Sequence, residues 1–214
     1  MLEEDTRARI LREASALFAD EGLYAFSMRK LAGRVGVSAP AIYRHFDSKE
    51  ALIGAVCQEG FRLFAQYLWK ALEAGDPLER LNATRLQYLR FALDHAHYYR
   101  TMFMIHVDSL GWESVPEANR ERAGATFQFL VDRVHECQHA ARLCDGEARL
   151  LAVQIWAHGH GLVALRLAGH LSELDDGAFE ALYVRSCGAQ LAGLGTMAGA
   201  PASRRAGTRP RHQR

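Results

Sequence analysis

Apolar residues recur at helical spacing along almost the whole chain, and this pattern constrains the fold more than any other feature. In the first segment, the residues that share one helix face are Ile10, Leu11, Ala14, Leu17 and Phe18. Gly22 stands where this pattern ends, as glycine commonly does after a helix. No stretch shows the apolar and polar alternation of a strand. The sequence therefore predicts an all-α protein of about nine helices.

Glycine, proline and aspartate mark where the later helices begin and end. A second helix is expected between Ser27 and Gly36, and a third from its cap Ser38 to Phe46. The remaining helices are predicted at about 49–74, 78–95, 97–107, 117–140, 145–170 and 176–197. Most connections between these helices are short, which is typical of antiparallel helix packing.

The start of the long fourth helix resembles a capping box, because Asp47 and Glu50 stand three residues apart. The helix order divides the chain into three parts. We predict a three-helix N-terminal domain (1–50), a larger helical bundle (51–198) and a basic tail that we expect to be disordered (199–214).

The charges of the chain nearly balance, with 26 Lys and Arg against 25 Asp and Glu among 214 residues, so any surface for a polyanion must be local. Two segments are basic. Five basic residues and one acidic residue lie between Gly22 and Lys49, and five arginines without an acidic residue lie between Ala200 and Arg214. Such patches either contact phosphates or are simply solvated surface.

The cysteines, the N-terminal residues and the longest apolar stretch together indicate a cellular compartment. The four cysteines (Cys57, Cys137, Cys144 and Cys187) are isolated, which argues against a disulfide framework and a zinc finger. The first residues, MLEEDTR, lack the apolar region of a secretory signal. The apolar stretch 150–169 is interrupted by glutamine, histidine and arginine, which a membrane span tolerates poorly. We therefore expect a protein of the reducing cytoplasm without a membrane contact.

Residues 28–46 carry the pattern with the most functional information. Two short helices joined by a tight turn form a helix-turn-helix, in which the second helix enters the major groove of DNA. Small residues at the start of that helix suit contacts with thymine methyl groups. Arg44 suits either a guanine or a phosphate, whereas Tyr43 and His45 suit phosphates. Ser27, Arg29 and Lys49 lie at helix N-termini, which favour phosphate.

This interpretation yields a set of expected DNA contacts on the second, third and fourth helices and their caps. They are Ser27, Arg29, Ser38, Ala39, Pro40, Ala41, Tyr43, Arg44, His45 and Lys49.

Residues 10–56 resemble the N-terminal domain of the TetR family of transcriptional regulators. The resemblance lies in an Ala-x-x-Leu-Phe run, in Gly22, in a Leu-Ala-x-x-x-Gly-Val stretch, in Tyr43-x-x-Phe46 and in Ser-Lys-Glu-Ala-Leu at 48–52. One departure is Ser27, where the family commonly has threonine, although the serine hydroxyl still serves as a cap. The resemblance implies a homodimeric DNA-binding protein whose C-terminal domain senses a ligand.

The C-terminal part is similar to the same family in outline only. The segment 155–159 resembles the Trp-x-His-Gly signature of a TetR C-terminal subgroup, which implies ligand sensing and dimerisation without identifying a ligand. Aromatic and methionine residues in this part suit either a core or a pocket for a small apolar or aromatic molecule. The expected ligand-binding residues are Phe91, Tyr98, Met102, Phe103, His106, Trp112, Phe127, Trp156 and His158.

Ten histidines raise the alternative of a metal-dependent enzyme. His135 and His139 share a helix face, but no third ligand with suitable spacing completes a zinc site. We therefore expect no catalytic residue, no bound metal and no cofactor. A DNA-architectural or protein-interaction module without a ligand remains a further alternative.

Small residues in the last helix suit a close contact between two copies of the chain. Gly188, Ala192 and Gly195 are spaced four and three residues apart, which permits a second helix to approach. A frayed terminal helix is the other explanation. We expect a homodimer through the last two helices, because a two-fold protein reads two half-sites of a palindromic operator. The predicted function is a DNA-binding regulator, a repressor released by a small molecule.

Overall fold

The computed structural model describes residues 2–104 and 117–196, and all regular secondary structure in these ranges is helical. The nine α-helices of the described residues are α1 (Leu2–Ala25), α2 (Met28–Val35), α3 (Ala39–Tyr43), α4 (Lys49–Lys70), α5 (Pro77–Asp94), α6 (Ala96–Phe103), α7 (Glu117–His139), α8 (Ala148–Leu167) and α9 (Asp176–Thr196). The predicted all-α class is confirmed. The basic tail 199–214 lies outside the described residues.

Local sequence signals produce the first three helices. The backbone of Gly22 leaves helical geometry at φ 74° and interrupts α1, as the sequence predicts. Ser27 caps α2, since its Oγ accepts a hydrogen bond from the backbone N–H of Lys30 at 3.2 Å. Gly36 ends α2 in the left-handed conformation at φ 75°, which glycine adopts without a steric penalty. Leu31 and Ile42, both fully buried, hold α2 and α3 together.

Three predicted boundaries differ from the structure. Helix α3 ends at Tyr43 instead of Phe46, and the chain tightens after it, since the N–H of His45 donates to the carbonyl of Ile42 three residues earlier at 2.9 Å. The predicted capping box at Asp47 is wrong, since Ser48 caps α4 and accepts from the N–H of Ala51 at 3.0 Å. Helix α4 ends at Lys70 and continues as a short 3₁₀ turn over Ala71–Glu73.

The long helix α4 connects the N-terminal helices to the bundle. It packs against α1 on one side and against α5, α6 and α7 on the others. Phe61, Phe64 and Leu68 are its buried side chains within the bundle. Helix α1 also packs against α6, so the N-terminal domain contacts the bundle through two helices. A displacement of α4 or α6 within the bundle is therefore transmitted directly to α1.

A buried guanidinium ties α5 to α9. Arg85 is 5% exposed, and its Nη1 donates to the carbonyl of Cys187 at 2.7 Å. Its Nη2 donates to Oε1 of Gln190 at 3.3 Å. No carboxylate pairs with Arg85 among the described residues, and its buried Nε has no hydrogen-bond partner there, so these two hydrogen bonds offset only part of the cost of burying its charge.

Helices α8 and α9 approach closely at Gly159. A Cβ atom built on Gly159 lies 2.6 Å from the Oη of Tyr183, whose hydroxyl donates to the carbonyl of Arg85 at 3.1 Å. We expect Gly159→Ala to lower the free energy of unfolding by about 1–3 kcal/mol, because the fully packed tyrosine has no room to move. Urea unfolding measures this change.

A double mutant separates this clash from a general effect of the substitution. Tyr183→Phe removes the Oη atom, so the loss in Gly159→Ala/Tyr183→Phe should be smaller than the sum of the two single losses. Gly124→Ala is the control, because a Cβ built on Gly124 of α7 has no neighbour within 4 Å. Additive losses would contradict the proposed contact.

In the part of the chain that the structure describes, none of the helices has the length and apolar character that crossing a membrane requires.

Candidate nucleic-acid interface and ligand site

Helices α2 and α3 present an exposed, basic surface. Tyr43 is 50% exposed, which is high for an aromatic ring, and Arg44 follows it at the end of α3. Of the residues expected to contact DNA, Arg29, Ser38, Pro40, Tyr43 and Arg44 are exposed, and Ser27, Ala39, Ala41, His45 and Lys49 are half-buried. All ten therefore have some solvent-accessible surface in the described chain.

Ion pairs distinguish two groups of basic residues on α2 and α3. Lys30 pairs with Glu21 at 2.6 Å, and Arg34 lies 3.4 Å from Glu13. Their charges are therefore partly neutralised inside the N-terminal domain. Neither Arg29 nor Arg44 forms an ion pair within the described residues. Arg29 and Arg44, which the sequence assigns to DNA, therefore keep their charges unpaired within the described residues.

The side chains at the helix starts have structural roles as well. Ser27 accepts the capping hydrogen bond of α2 through Oγ, which leaves its hydroxyl proton available to an external acceptor. The Nζ of Lys49 lies 5.5 Å from the centre of the Phe26 ring. Both residues border helix N-termini, where backbone N–H groups favour an anion.

A polar cluster lies inside the bundle where α5, α6 and α8 meet. The hydroxyl oxygens of Tyr88 and Tyr99 are 2.8 Å apart, and they lie 3.0 Å and 2.7 Å from Nδ1 of His160. The indole Nε1 of Trp156 donates to the hydroxyl of Tyr88 at 3.2 Å. We call these four residues the tyrosine–histidine cluster.

The proton positions in this cluster follow from its chemistry. Burial raises the pKa of Tyr88 and Tyr99 far above their usual range, so both hydroxyls remain protonated. Burial also lowers the pKa of His160. A neutral His160 that accepts at Nδ1 provides a partner for the hydroxyl protons and carries its own proton on Nε2. The histidine is therefore a hydrogen-bond donor at its second nitrogen.

Aromatic rings surround this cluster. The Phe103 ring lies 6.1 Å from Trp156 and 6.2 Å from His160 between ring centres. The Phe127 ring on α7 lies 6.0 Å from Trp156. The structure thus brings together three of the residues expected to bind a ligand, namely Phe103, Phe127 and Trp156.

The other residues of that set lie elsewhere or outside the described chain. Phe91 is fully buried and packs on Phe64, with ring centres 4.9 Å apart. Tyr98 and Met102 are the side chains next to Gly60 of α4. His158 faces α9, where its Nε2 lies 2.9 Å from Oγ of Ser186. His106 and Trp112 fall outside the described residues.

Sequence reasoning missed His160 and Tyr88. The signal was present, because His160 stands four residues after Trp156 and so shares its helix face, whereas His158 does not. The Trp-x-His-Gly resemblance favoured His158 instead. Tyr88 lies in an ordinary amphipathic helix and has no local signal.

The pH dependence of stability provides a test of the neutral His160. Because burial lowers its folded-state pKa below 6.5, the unfolded chain binds the proton more readily. The contribution of His160 is fully present above pH 6.5 and is lost as the pH falls through the lowered pKa. We expect His160→Gln to lose less stability than the wild type between pH 7.5 and 5.0, measured by urea unfolding. His170→Gln, which alters an exposed histidine, should match the wild type.

No group of three or more potential metal ligands occurs among the residues that the structure describes. His135 and His139 are neighbours on α7, with ring centres 6.3 Å apart, and both are exposed.

Comparison with known proteins identifies relatives of both parts of the chain. Residues 10–56 match the family described as bacterial regulatory proteins, tetR family. Residues 81–187, half of the chain, match the family described as tetracyclin repressor-like, C-terminal domain.

Two curated relatives are transcriptional regulators by name. The HTH-type transcriptional repressor KstR2 of Mycobacterium tuberculosis (strain CDC 1551 / Oshkosh) is 31% identical over 129 residues, which are 59% of this chain and 58% of the relative. The HTH-type transcriptional activator FasR of Mycolicibacterium smegmatis is 34% identical over 101 residues, 47% of this chain and 46% of the relative. The chain therefore spans about half the length of the curated relatives that it matches.

The fold is also shared with solved structures. The crystal structure of the TetR family transcriptional regulator PfmR from Thermus thermophilus superposes with a TM-score of 0.71 at 23% identity. The superposition covers 87% of this chain and 98% of that chain. At this identity the likeness shows the arrangement of the helices.

Proposed function

Since the chain belongs to the TetR family of DNA-binding transcriptional regulators, we propose that it is a homodimeric repressor that a small molecule releases from a palindromic operator. The direction of regulation follows the KstR2 relative, a repressor by name, whose alignment is longer than that of the activator FasR. We assign DNA binding to residues 1–50 and ligand binding with dimerisation to residues 51–198.

The observation that carries the proposal is the exposed surface that α2 and α3 present. Tyr43 and Arg44 are exposed there, and Arg29 and Arg44 have no ion pair among the described residues. An arginine at the end of a recognition helix reaches either a guanine edge or a phosphate. Exposed tyrosine and helix N-termini suit phosphates, which fix the register of the protein on the duplex.

The tyrosine–histidine cluster supports ligand binding within the bundle. Helical proteins hold small molecules between helices, using aromatic walls and a few polar groups. Phe103, Phe127 and Trp156 supply apolar walls, and the Nε2–H of His160 supplies a donor. We therefore propose as the ligand a small apolar or aromatic molecule with one hydrogen-bond acceptor, because its chemistry complements this set of residues.

Helix α4 is the route from such a ligand to DNA. Phe103 packs against Phe61 and Phe64 of α4, with ring centres 6.0 Å and 6.2 Å apart. The same helix begins beside the DNA-facing surface at Lys49 and packs against α1. A ligand that moves Phe103 therefore favours a different spacing of the two DNA-binding domains, and a few kcal/mol of differential affinity suffices to empty an operator.

An exposed apolar face on α8 and α9 supports dimerisation through these helices. Leu150, Val153 and Leu165 of α8 are 58%, 43% and 44% exposed, and Val184 of α9 is 51% exposed. Nothing lies within 4 Å of a Cβ built on Gly188, so a second helix has room to approach. We propose that a second copy of this chain covers this face.

Of the three small residues expected at the dimer contact, Gly195 has a different role. A Cβ built on Gly195 lies 3.1 Å from the backbone oxygen of Arg142. Gly195 therefore packs within its own chain, while Gly188 and Ala192 are exposed.

We expect Val184→Asp to convert the dimer into a monomer, because the substitution places a charge on the apolar face that we propose as the interface. Light scattering on a sizing column should give about twice the chain mass of 23.9 kDa for the wild type and the single chain mass for the variant. Leu72→Asp is the control, since Leu72 is 48% exposed but lies away from α8 and α9. A wild-type monomer, or a dimer that survives Val184→Asp, contradicts this interface.

Selection of DNA fragments tests the proposed operator binding. The purified chain is incubated with sheared DNA from around its own gene, and the retained fragments are sequenced. A shared palindrome, with half-site centres about 34 Å or more apart, is the expected result. Retention without any shared sequence contradicts a sequence-specific regulator and favours the architectural alternative.

A further inference from the structure

An open groove of about 470 Å³ lies between α1, α4 and α7, on a different side of α4 from the tyrosine–histidine cluster. None of the four residues of that cluster lines it. One wall belongs to the DNA-binding domain through Arg7 and Leu11, and the others belong to the bundle. The proposed operator and ligand sites leave this groove without a role.

Part of the groove surface is apolar. Leu11 and Phe61 contribute the edges of buried side chains, and Ala65 lies beside them. Trp69 borders the groove and is 62% exposed, the largest exposure among the large apolar side chains of the described residues. An exposed indole beside a concave surface is typical of a contact with a ligand.

The charged residues of the groove are mainly positive. Arg7, Arg62 and Arg122 line it, against the single carboxylate of Glu59. Arg62 already binds Glu59 through two hydrogen bonds, from Nε at 2.8 Å and from Nη2 at 2.7 Å. Neither Arg7 nor Arg122 has an ion pair within the described residues.

The two arginines without an ion pair come from different helices. The Arg7 guanidinium of α1 lies 5.3 Å from the centre of the Phe46 ring, and Arg122 projects from α7. Neither guanidinium donates a hydrogen bond to another of the described residues, and the side-chain amides of Gln58 and Gln66 add neutral donors around the groove. The groove therefore combines two uncompensated positive charges with an apolar wall.

We propose that this groove binds a small amphipathic anion, with a carboxylate or phosphate between Arg7 and Arg122 and an apolar body against Trp69 and Phe61. Guanidinium groups suit both kinds of headgroup, because their planar donors match two oxygens at once. Such a ligand joins α1 of the DNA-binding domain to α7 of the bundle. This site does not depend on the proposed ligand of the tyrosine–histidine cluster.

Calorimetric titration of the full chain without DNA tests the proposal. The probes are octanoate, octyl phosphate and octanol, which share one apolar chain and differ in the headgroup. We expect one or both anions to bind, and octanol to bind at least about tenfold more weakly, because it lacks the charge that pairs with arginine. Binding of the anions should weaken as the salt concentration rises.

Substitutions locate the bound anion. Arg122→Gln should raise the Kd about three- to fivefold, and Arg7→Gln/Arg122→Gln about tenfold or more, as expected for exposed ion pairs. Arg90→Gln is the control, because Arg90 is an exposed arginine of α5 outside the groove. The indole N–H resonance of Trp69, assigned with Trp69→Phe, should shift during the titration.

The outcomes separate clearly. Binding of octanoate alone or of octyl phosphate alone supports the site and identifies its headgroup. The proposal is overturned if neither anion binds, if octanol binds as tightly, or if Arg7→Gln/Arg122→Gln binds like the wild type.

Discussion

Arg44→Ala is expected to weaken operator binding by about 1–3 kcal/mol. Arg44 is exposed at the end of α3 and has no ion pair among the described residues, so its charge is available to DNA. If it reads a guanine, the loss is concentrated at one base-pair position; if it holds a phosphate, the loss is equal for all sequences. Fluorescence anisotropy with single-base operator variants distinguishes the two roles.

Tyr43→Ala should weaken binding to all DNA sequences by the same factor, because the exposed phenol hydroxyl of Tyr43 suits a phosphate. The matched control is Arg34→Ala in the same domain, since Arg34 faces Glu13 and Asp20 at 3.4 Å and 3.6 Å. Its removal should leave DNA affinity nearly unchanged. Wild-type affinity in Arg44→Ala, or an equal loss in Arg34→Ala, would contradict the assigned surface.

Arg85→Ala should produce the largest loss of stability among the substitutions considered, about 3 kcal/mol. It removes the hydrogen bonds to Cys187 and Gln190 that connect α5 to α9, and it leaves a cavity between the helices. Urea unfolding at one fixed protein concentration measures the change, since dimerisation makes stability depend on concentration.

Two further variants identify the cause of that loss. Arg85→Met keeps most of the apolar volume but removes the donors, so it reports on the hydrogen bonds alone. Arg90→Ala, in the exposed face of the same helix, should change stability by about 0.5 kcal/mol or less. If Arg85→Ala lowers the free energy of unfolding by less than about 1 kcal/mol, the hydrogen bonds of the buried guanidinium do not stabilise the contact between α5 and α9.

The sequence predicted those parts of the fold that depend on local signals. Ser27 and Gly36 begin and end α2 through a cap and a left-handed glycine, which are properties of single residues. Their positions were therefore readable without tertiary information. The order and approximate bounds of the later helices followed from apolar spacing in the same way.

The features that sequence reasoning missed depend on distant contacts. The pairing of Arg85 with Cys187 joins residues 102 positions apart, and that of Tyr99 with His160 joins residues 61 positions apart. Periodicity places each of these residues on a helix face but does not reveal what lies opposite. For the same reason Phe91 could not be distinguished from a pocket wall, although it packs in the core.

The DNA affinity of the wild-type chain tests the central claim most directly. Fluorescence anisotropy with a labelled palindromic fragment and a scrambled fragment of equal composition, at several salt concentrations, provides the comparison. A sequence-specific regulator binds the palindrome at least about 10³-fold more tightly than the scrambled DNA at the same salt concentration. Equal affinity for both fragments, falling steeply with salt, would mean that the exposed arginines contact only phosphates and would contradict operator recognition by this chain.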